Sequence, residues 1–312
     1  MSLAAGLLLY SVVVLLAGPP LLRVLTRTGQ APRWGAAAWL VAIASVLATW
    51  LVSAVLVVVD EVAHWSRRHA FIDSCIEVLC RMLAGQSGSA ARGVVLVGAA
   101  AGVAAVAAVG TRTVLTAARL RSHAHGHARG VQLVGRRFGD RRVVVVDADL
   151  RAAYCVSGRP STIVVTSAAV DALDAHQLGA VLAHEWAHVR GRHLELTILL
   201  RALAMVLPRL TLMREGAREV TRLLEMCADD VAARRCGRDA VLSGLLVLAG
   251  AVPAAALGAA DVALVSRARR LTGPPAEHVR GGEAALAGAA GLIALTPLLT
   301  LVAAAFGMLV CR

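Results

Sequence analysis

Four stretches of the sequence are continuously apolar over the length that a helix needs to cross a lipid bilayer. They cover residues 3–22, 36–59, 93–114 and 286–310. A transmembrane helix requires about 20 mainly apolar residues, so the pattern predicts four membrane-spanning helices. The first stretch has no arginine before it and no clear small-residue cleavage site. We therefore expect it to be a retained helix rather than a secretory signal.

The arginines around these stretches are unevenly distributed. The loop after the first stretch carries three arginines and no acidic residue, whereas the loop after the second balances four arginines against four acidic residues. Seven arginines follow the third stretch, namely Arg119, Arg121, Arg129, Arg136, Arg137, Arg141 and Arg142. Because cationic residues are retained on the cytoplasmic side of a membrane, we expect the N-terminus outside and the large central segment in the cytoplasm.

The composition agrees with a membrane protein and argues against a nucleic-acid-binding one. Apolar residues make up 58% of the chain and the mean hydropathy is +0.71, both far above soluble usage. The net charge of +12 is the excess of 32 basic residues, all of them arginine, over 20 acidic residues. With only 3% aromatic residues for base stacking and no recognisable binding module, we expect no direct nucleic-acid binding. The lipid bilayer is the expected partner of the basic and apolar segments.

Cysteine positions fit this topology. Cys75 and Cys80 fall in the predicted outer loop, where a disulfide could persist. The sequence is compatible with a disulfide between these two cysteines and equally with two reduced thiols. Cys155, Cys227 and Cys236 fall on the predicted cytoplasmic side.

Residues 119–285 lie between the third and fourth apolar stretches, and we expect them to form a folded α+β domain. Three short β-rich runs, 143–146, 152–156 and 162–166, predict the strands of a small sheet. Asp174 then precedes a helical run with Gln177 three residues later, a pattern typical of a helix-capping box.

Three further apolar or amphipathic stretches follow. Residues 194–213 predict a helix interrupted by Pro208, and residues 217–235 predict a second helix. Residues 241–258 are apolar but too short for a full crossing. Residues 266–282, rich in arginine and proline, read as a basic tether before the fourth membrane helix, with a self-cleavage segment as the alternative.

The predicted helix after Asp174 contains the sequence His-Glu-Trp-Ala-His at residues 184–188. His184 and His188 are four residues apart, so on a helix both imidazoles project from one face and can share a metal ion. Glu185 is next to the first histidine and can act as the general base that deprotonates a water molecule. The alternative is an amphipathic helix with two surface histidines.

A catalytic zinc ion needs a third protein ligand and one open position. In the extended pattern HExxHxxGxxH the third ligand is a histidine, but Leu194 stands at that position here and His193 comes one residue early. Glu225 supplies a carboxylate on a later helix, so we predict it as the third ligand. Asp229, one turn further along, can accept a hydrogen bond from the second ring nitrogen of a ligating histidine. The alternative for this pair is a solvated acidic helix face.

The order of these elements resembles the membrane metallopeptidases of the BlaR/MecR type, and more distantly those of the HtpX/Ste24 type. The features that match are three amino-terminal helices, HExxH at residues 184–188, the run Glu-Met-Cys-Ala-Asp at residues 225–229, and a fourth helix. The resemblance implies a multi-pass α-helical membrane protein with an inserted zincin-like α+β domain. In the antibiotic sensors a penicillin-binding domain follows the fourth helix, whereas this sequence ends at Arg312. We therefore expect no β-lactam sensing within this chain.

The same resemblance implies a zinc metalloendopeptidase of the gluzincin kind, HExxH followed by a glutamate, in a bacterial plasma membrane. Its substrate would be a polypeptide, with a BlaI/MecI-type transcriptional repressor or the chain itself as the target of a signal-transducing protease. A quality-control protease and a non-catalytic zinc-binding receptor are the alternatives, and a homodimer stays open. The domains would be residues 1–118, 119–285 and 286–312.

Two details of the active site are less determined by the sequence. We expect an extended substrate to pair with an edge strand, and residues 162–166 are the suggested strand. His193 and His278 are candidates for stabilising the oxyanion, although each also fits an ordinary surface histidine.

Overall fold

The computed structural model describes residues 2–65, 87–158, 160–250, 259–273 and 279–310. The helices are α1 (Ser2–Thr26), α2 (Pro32–Trp65), α3 (Ser87–Val134), α4 (Ser167–Ala172), α5 (Ala175–Gly191), α6 (His193–Val206), α7 (Thr211–Cys236), α8 (Arg238–Ala249), α9 (Ala259–Thr272) and α10 (Val279–Val310). The strands are β1 (Arg136–Phe138), β2 (Asp140–Val146), β3 (Ala153–Val156) and β4 (Thr162–Thr166). The chain divides into two compact units. The first is Met1–Gly18, Val41–Arg112 and Gly291–Arg312, and the second is Pro19–Leu40 and Thr113–Ala290.

Four helices contain segments long and apolar enough to cross a membrane, as the hydrophobic pattern predicts. The segments are Leu3–Thr26 in α1, Pro32–Val59 in α2, Ala100–Val134 in α3 and Gly281–Thr300 in α10. Helix α3 has 48 residues, more than twice the length that a single crossing needs. It continues without a break through residue 118, and the predicted domain boundary at that residue stays a prediction.

In the first unit, α1, α2 and α10 share polar contacts between otherwise apolar surfaces. The Tyr10 hydroxyl donates to the carbonyl of Ile293 at 2.5 Å and lies 3.3 Å from the hydroxyl of Ser45. The indole nitrogen of Trp50 donates to the hydroxyl of Ser11 at 3.2 Å. A buried polar group left without a partner costs about 1–3 kcal/mol, so these hydrogen bonds favour one rotation of each helix about its own axis.

The second unit contains a four-stranded sheet with the order β1-β2-β4-β3. β1 and β2 form an antiparallel hairpin, β2 and β4 are parallel, and β3 pairs antiparallel with β4. β4 is therefore an interior strand, and all five of its residues are buried. The suggestion that residues 162–166 form the substrate-binding edge is wrong, because β4 already has a neighbour on both sides. The edge is β3.

Side chains alternate between the two faces of the sheet and bury it between two helices. Val143 and Val165 pack with Val181 of α5 on one face. Val144, on the opposite face, packs with Ala128 of α3. Successive side chains of a strand point to opposite faces, so both faces are apolar and α5 is held flat against the sheet.

Helix α5 begins where the sequence predicts. Asp174 Oδ1 accepts hydrogen bonds from the backbone N–H groups of His176 and Gln177, both at 2.8 Å, and Gln177 Oε1 accepts one from the Asp174 N–H at 3.1 Å. This reciprocal capping box confirms the prediction. Because a cap fixes the first residue of a helix, it also sets the register of the His-Glu-Trp-Ala-His sequence that follows.

The helices after α5 differ slightly from the expected ones. The break near Pro208 is confirmed, since α6 ends at Val206 and α7 begins at Thr211. α7 starts six residues earlier than predicted and reaches Cys236. α8 has 12 residues and is too short to cross a bilayer. Residues 251–258 lie outside the described part of the chain.

Candidate metal centre

Two helices of the second unit bring the predicted site residues together. α5 carries His184, Glu185 and His188, and α7 carries Glu225 and Asp229. Small buried side chains line the packing between these helices, including Ala180 and Ala183 of α5 and Ala232 of α7. Small residues allow two helix backbones to approach closely, and side chains from both helices can then reach one point.

The nitrogen and oxygen atoms of three side chains converge on that point. His184 Nε2 lies 3.1 Å from His188 Nε2 and 3.4 Å from Glu225 Oε2, and His188 Nε2 lies 3.4 Å from Glu225 Oε1. These three residues form the group that could hold a metal ion within the described residues. The structure thus brings together all three predicted ligands.

The electrostatics of this point favour a positive charge. Burial acts to lower the pKa of His184, but contacts with Asp229 and Glu225 outweigh it and raise that pKa to about 9. Burial also acts to raise the pKa of Glu225, and its contacts with His184 and His188 instead hold it well below its ordinary value. Without a metal ion, a proton on His184 supplies positive charge beside Asp229 and Glu225. A divalent cation at the same point would supply two positive charges.

Glu185 has a different environment from Glu225. Its side chain is buried, with 8% of its surface exposed, and burial raises its pKa while His184 and His188 act in the opposite direction. A carboxyl group with a raised pKa takes up and releases protons closer to neutral pH. This environment suits a general base.

Asp229 lies behind the first histidine, as predicted. Its Oδ1 is 3.0 Å from His184 Nδ1, the ring nitrogen on the side away from Glu225. The N–H direction lies outside regular hydrogen-bond geometry, so the contact is an ion pair rather than an aligned hydrogen bond. Asp229 is 1% exposed. A buried carboxylate in this place holds the imidazole with its other nitrogen directed to the converging donors.

Arg267 is a site residue that the sequence did not reveal. It lies on α9, and its Nε and Nη2 donate to Asp229 Oδ2 at 2.8 Å and Oδ1 at 2.7 Å. Its Nη1 lies 3.3 Å from Glu225 Oε2. Burial acts to raise the pKa of Asp229, but the hydrogen bonds from Arg267 and the contact with His184 lower it overall. Residues 266–272 are therefore helical and in part buried, and they are not a tether.

His193 lies behind the second histidine. Its Nδ1 is 2.9 Å from His188 Nδ1, and burial, followed by the charge of His188, lowers the His193 pKa to about 4. A neutral His193 can accept the His188 Nδ1 hydrogen, which leaves His188 Nε2 free to face Glu225. A Cβ at residue 191 would lie 2.3 Å from His193 Nε2, so Gly191 makes room for this ring. His278 lies outside the described residues.

A cleft of about 180 Å³ opens onto the converging donors. Its floor includes His184, Glu185 and Glu225, and Ala153 of the edge strand β3 forms part of one wall. Apolar side chains of α8, Val241, Leu245 and Leu248, form another part of its lining. The edge strand β3 and Glu185 therefore border the same cleft.

The segment that contains the metal centre matches a known protein family. The family model of peptidase family M48 matches residues 114–273, just over half of the 312 residues. The chain belongs to peptidase family M48. The matched segment contains the whole sheet and every site residue from His184 to Arg267. No curated protein and no solved structure matched the chain.

Membership of family M48 suggests that the chain is a peptidase, and peptidases of this family are typically metal-dependent. The three converging donors give that metal dependence a place in the fold. The match supports the M48 family as a whole and does not extend to the narrower BlaR/MecR-type group.

Replacing Glu225 by glutamine removes the one anionic donor of the three. We expect the purified Glu225→Gln protein to hold much less divalent metal than the wild type, because the neutral amide is a far weaker ligand. Glu185→Gln is the matched control, since it makes the same change beside the donors and should retain the metal. Metal content by plasma mass spectrometry is the measurement, and undiminished metal in Glu225→Gln would exclude Glu225 as a ligand.

Replacing Arg267 by methionine removes the cation that faces two carboxylates. Leaving a buried ion without its partner costs about 3–5 kcal/mol, so we expect a clearly lower melting temperature and loss of hydrolysis. Arg267→Lys keeps the charge without the two-pronged contact and should be intermediate. The control is Arg269→Lys at an exposed position of the same helix. Wild-type stability in Arg267→Met would show that Asp229 does not depend on this contact.

Proposed function

We propose that this chain is an integral-membrane zinc metalloendopeptidase with Glu185 as its general base. The observation that supports zinc is the triangle of donor distances, 3.1, 3.4 and 3.4 Å. Tetrahedral zinc with bonds of about 2.0–2.1 Å places neighbouring donors about 3.3 Å apart. Two imidazoles and one carboxylate, with a fourth position open to the cleft, are a donor set typical of catalytic zinc.

The chemistry then divides between the ion and the protein. A bound zinc ion would polarise the scissile carbonyl and lower the pKa of a water molecule towards neutrality. Glu185 accepts the proton of the attacking water and returns it to the leaving amine. Asp229, held by Arg267, keeps His184 oriented, and His193 does the same for His188.

A polypeptide substrate would bind in an extended form beside β3. β3 is an edge of the sheet, so its outer N–H and C=O groups are available for pairing with an added strand. Ala153 lies both on β3 and in the lining of the cleft. A peptide paired there places a backbone carbonyl close to the metal-binding residues, and the small Ala153 side chain leaves room for it.

We further propose that the peptidase domain faces the cytoplasm and the N-terminus faces outward. The support is the arginine-rich segment 119–142, which follows the apolar stretch 93–114, and the three arginines at and beside the turn between α1 and α2, namely Arg23, Arg27 and Arg33.

Thiol labelling of intact cells tests this topology. Cys75 and Cys80 should react with a membrane-impermeant maleimide from outside, after reduction if they are bridged. In a background without other cysteines, Asp171→Cys, at an exposed position in α4, should react only after permeabilisation. Asp171→Cys is a better inner probe than Cys227, because burial raises the pKa of Cys227 to about 11 and slows its reaction. Labelling of Asp171→Cys in intact cells would place the peptidase outside.

The more specific role that we propose is a regulatory protease that cleaves a cytoplasmic repressor, or itself, in response to a signal from the envelope. It rests on the resemblance of residues 184–188 and 225–229, with three preceding membrane helices, to the BlaR/MecR type. A quality-control protease would use the same catalytic centre on a different substrate, so only a substrate experiment distinguishes the two.

The experiment expresses the wild type, Glu185→Gln and Glu195→Gln together with a repressor-like DNA-binding protein encoded nearby. After envelope stress, we expect immunoblots to show repressor cleavage with the wild type and Glu195→Gln but not with Glu185→Gln. Glu195→Gln is the matched control, since it makes the same change in α6, outside the cleft lining. If the repressor stays intact in every strain while misfolded membrane proteins are degraded only with active Glu185, the regulatory role is wrong and quality control replaces it.

A further inference from the structure

A second, larger cavity lies on the same unit and shares no lining residue with the metal cleft. It has a volume of about 820 Å³. Its walls come from the turn between α1 and α2 with the start of α2, from the end of α7 and start of α8, and from α10. The residues that line it are Gln30, Ala31, Pro32, Arg33, Trp34, Ala37, Asp230, Ala233, Arg234, Arg238 and Glu283.

The charged groups of this cavity leave an excess of positive charge. Three arginines, Arg33, Arg234 and Arg238, face two acidic residues, Asp230 and Glu283. Asp230 is already neutralised from outside the cavity, because Arg270 Nη2 donates to its Oδ2 at 2.8 Å and Arg270 Nη1 lies 2.8 Å from its Oδ1.

The arginines themselves are only weakly engaged. Arg238 uses one nitrogen to donate to the carbonyl of Gly273 at 2.9 Å. Among the described residues, no carboxylate lies within ion-pair distance of Arg33 or Arg234. Both side chains are exposed to solvent, so their guanidinium groups are available to an anion.

The position of the cavity indicates where that anion would come from. The apolar span of α2 begins at Pro32, directly beside Arg33 and Trp34. Trp34 is 45% exposed, and tryptophan side chains are enriched at membrane–water interfaces. In the proposed membrane orientation the cavity therefore opens at the level of the lipid headgroups, on the leaflet whose anionic lipids attract basic segments.

We infer that this cavity binds the phosphate headgroup of an anionic phospholipid. Arg33 and Arg234 contact the phosphate, and Trp34 lies beside the upper acyl chain. The inference rests on the proposed membrane placement, although its test does not depend on peptide hydrolysis.

The cavity is connected to the helices of the metal centre by direct contacts. Arg270 of α9 donates to the carbonyl of Gly29 at 2.9 Å as well as to Asp230. Gly29 has a φ of +64°, and a Cβ there would lie 2.4 Å from the Met226 sulfur, so the turn packs closely on α7. A lipid that fixes the turn would therefore also stabilise α7 and α9, which carry Glu225 and Arg267.

The test uses the full-length Glu185→Gln protein in neutral detergent, so that proteolysis plays no part. Its melting temperature is measured during titration with phosphatidylglycerol, with phosphatidylcholine and with inorganic phosphate. The comparison is between the parent protein, the double variant Arg33→Gln/Arg234→Gln and the control Arg209→Gln/Arg218→Gln. The control removes the same charge at exposed positions outside the cavity.

We expect stabilisation by phosphatidylglycerol but not by phosphatidylcholine, in the parent and the control. Each arginine near an anionic surface contributes about fivefold to affinity, so the double variant should need roughly 30-fold more phosphatidylglycerol for the same shift. An equal response of the double variant would overturn the site. An equal shift from inorganic phosphate alone would overturn the lipid assignment. If phosphatidylglycerol stabilises as expected while wild-type protein cleaves no substrate, the proposed function fails and the lipid site stands.

Discussion

The second unit is organised around a small volume in which buried acidic groups must be matched by positive charge. Glu225 and Asp229 come from one helix, and Glu185 comes from the helix packed against it. Three carboxylates in one buried volume repel each other strongly unless cations lie between them. His184 and Arg267 supply part of the compensation from protein groups, and the point between His184, His188 and Glu225 is where a metal ion would supply the rest.

This requirement explains the arrangement of the helices around the site. α5 must be held against the sheet so that its histidines face α7, and the apolar contacts of Val143 and Val165 with Val181 provide this support. α9 must return to α7 so that Arg267 reaches Asp229, and Leu271 of α9 belongs to the same buried cluster as Ala183 and Ala232. Apolar packing thus provides the free energy of assembly, while the charge pairs determine which relative positions of the helices are tolerated.

The sequence predicted the features that depend on local spacing. Two histidines four residues apart, an aspartate with a glutamine three residues later, and a proline between two helical runs all act within one or two helical turns. Arg267 could not be found in this way, because its partners lie 38 residues away or more along the chain and its neighbours, rich in arginine, resemble a tether. The edge strand was missed for a related reason. The order of strands across a sheet does not follow from their order along the chain. Here β3 precedes β4 in sequence but lies outside it, because β4 pairs with β2.

Arginine serves two purposes in this chain, and only the structure separates them. In the proposed membrane placement, the exposed arginines after the apolar stretches act through their net charge. Arg267 and Arg270 instead use several guanidinium nitrogens at once, which binds a carboxylate together with a second carboxylate or a backbone carbonyl. A lysine ammonium in either place would keep the charge but not the planar fork. A charge count taken from sequence therefore overstates the cationic surface of the segment 259–273, because two of its arginines are consumed in holding α9 to α7 and to the turn before α2.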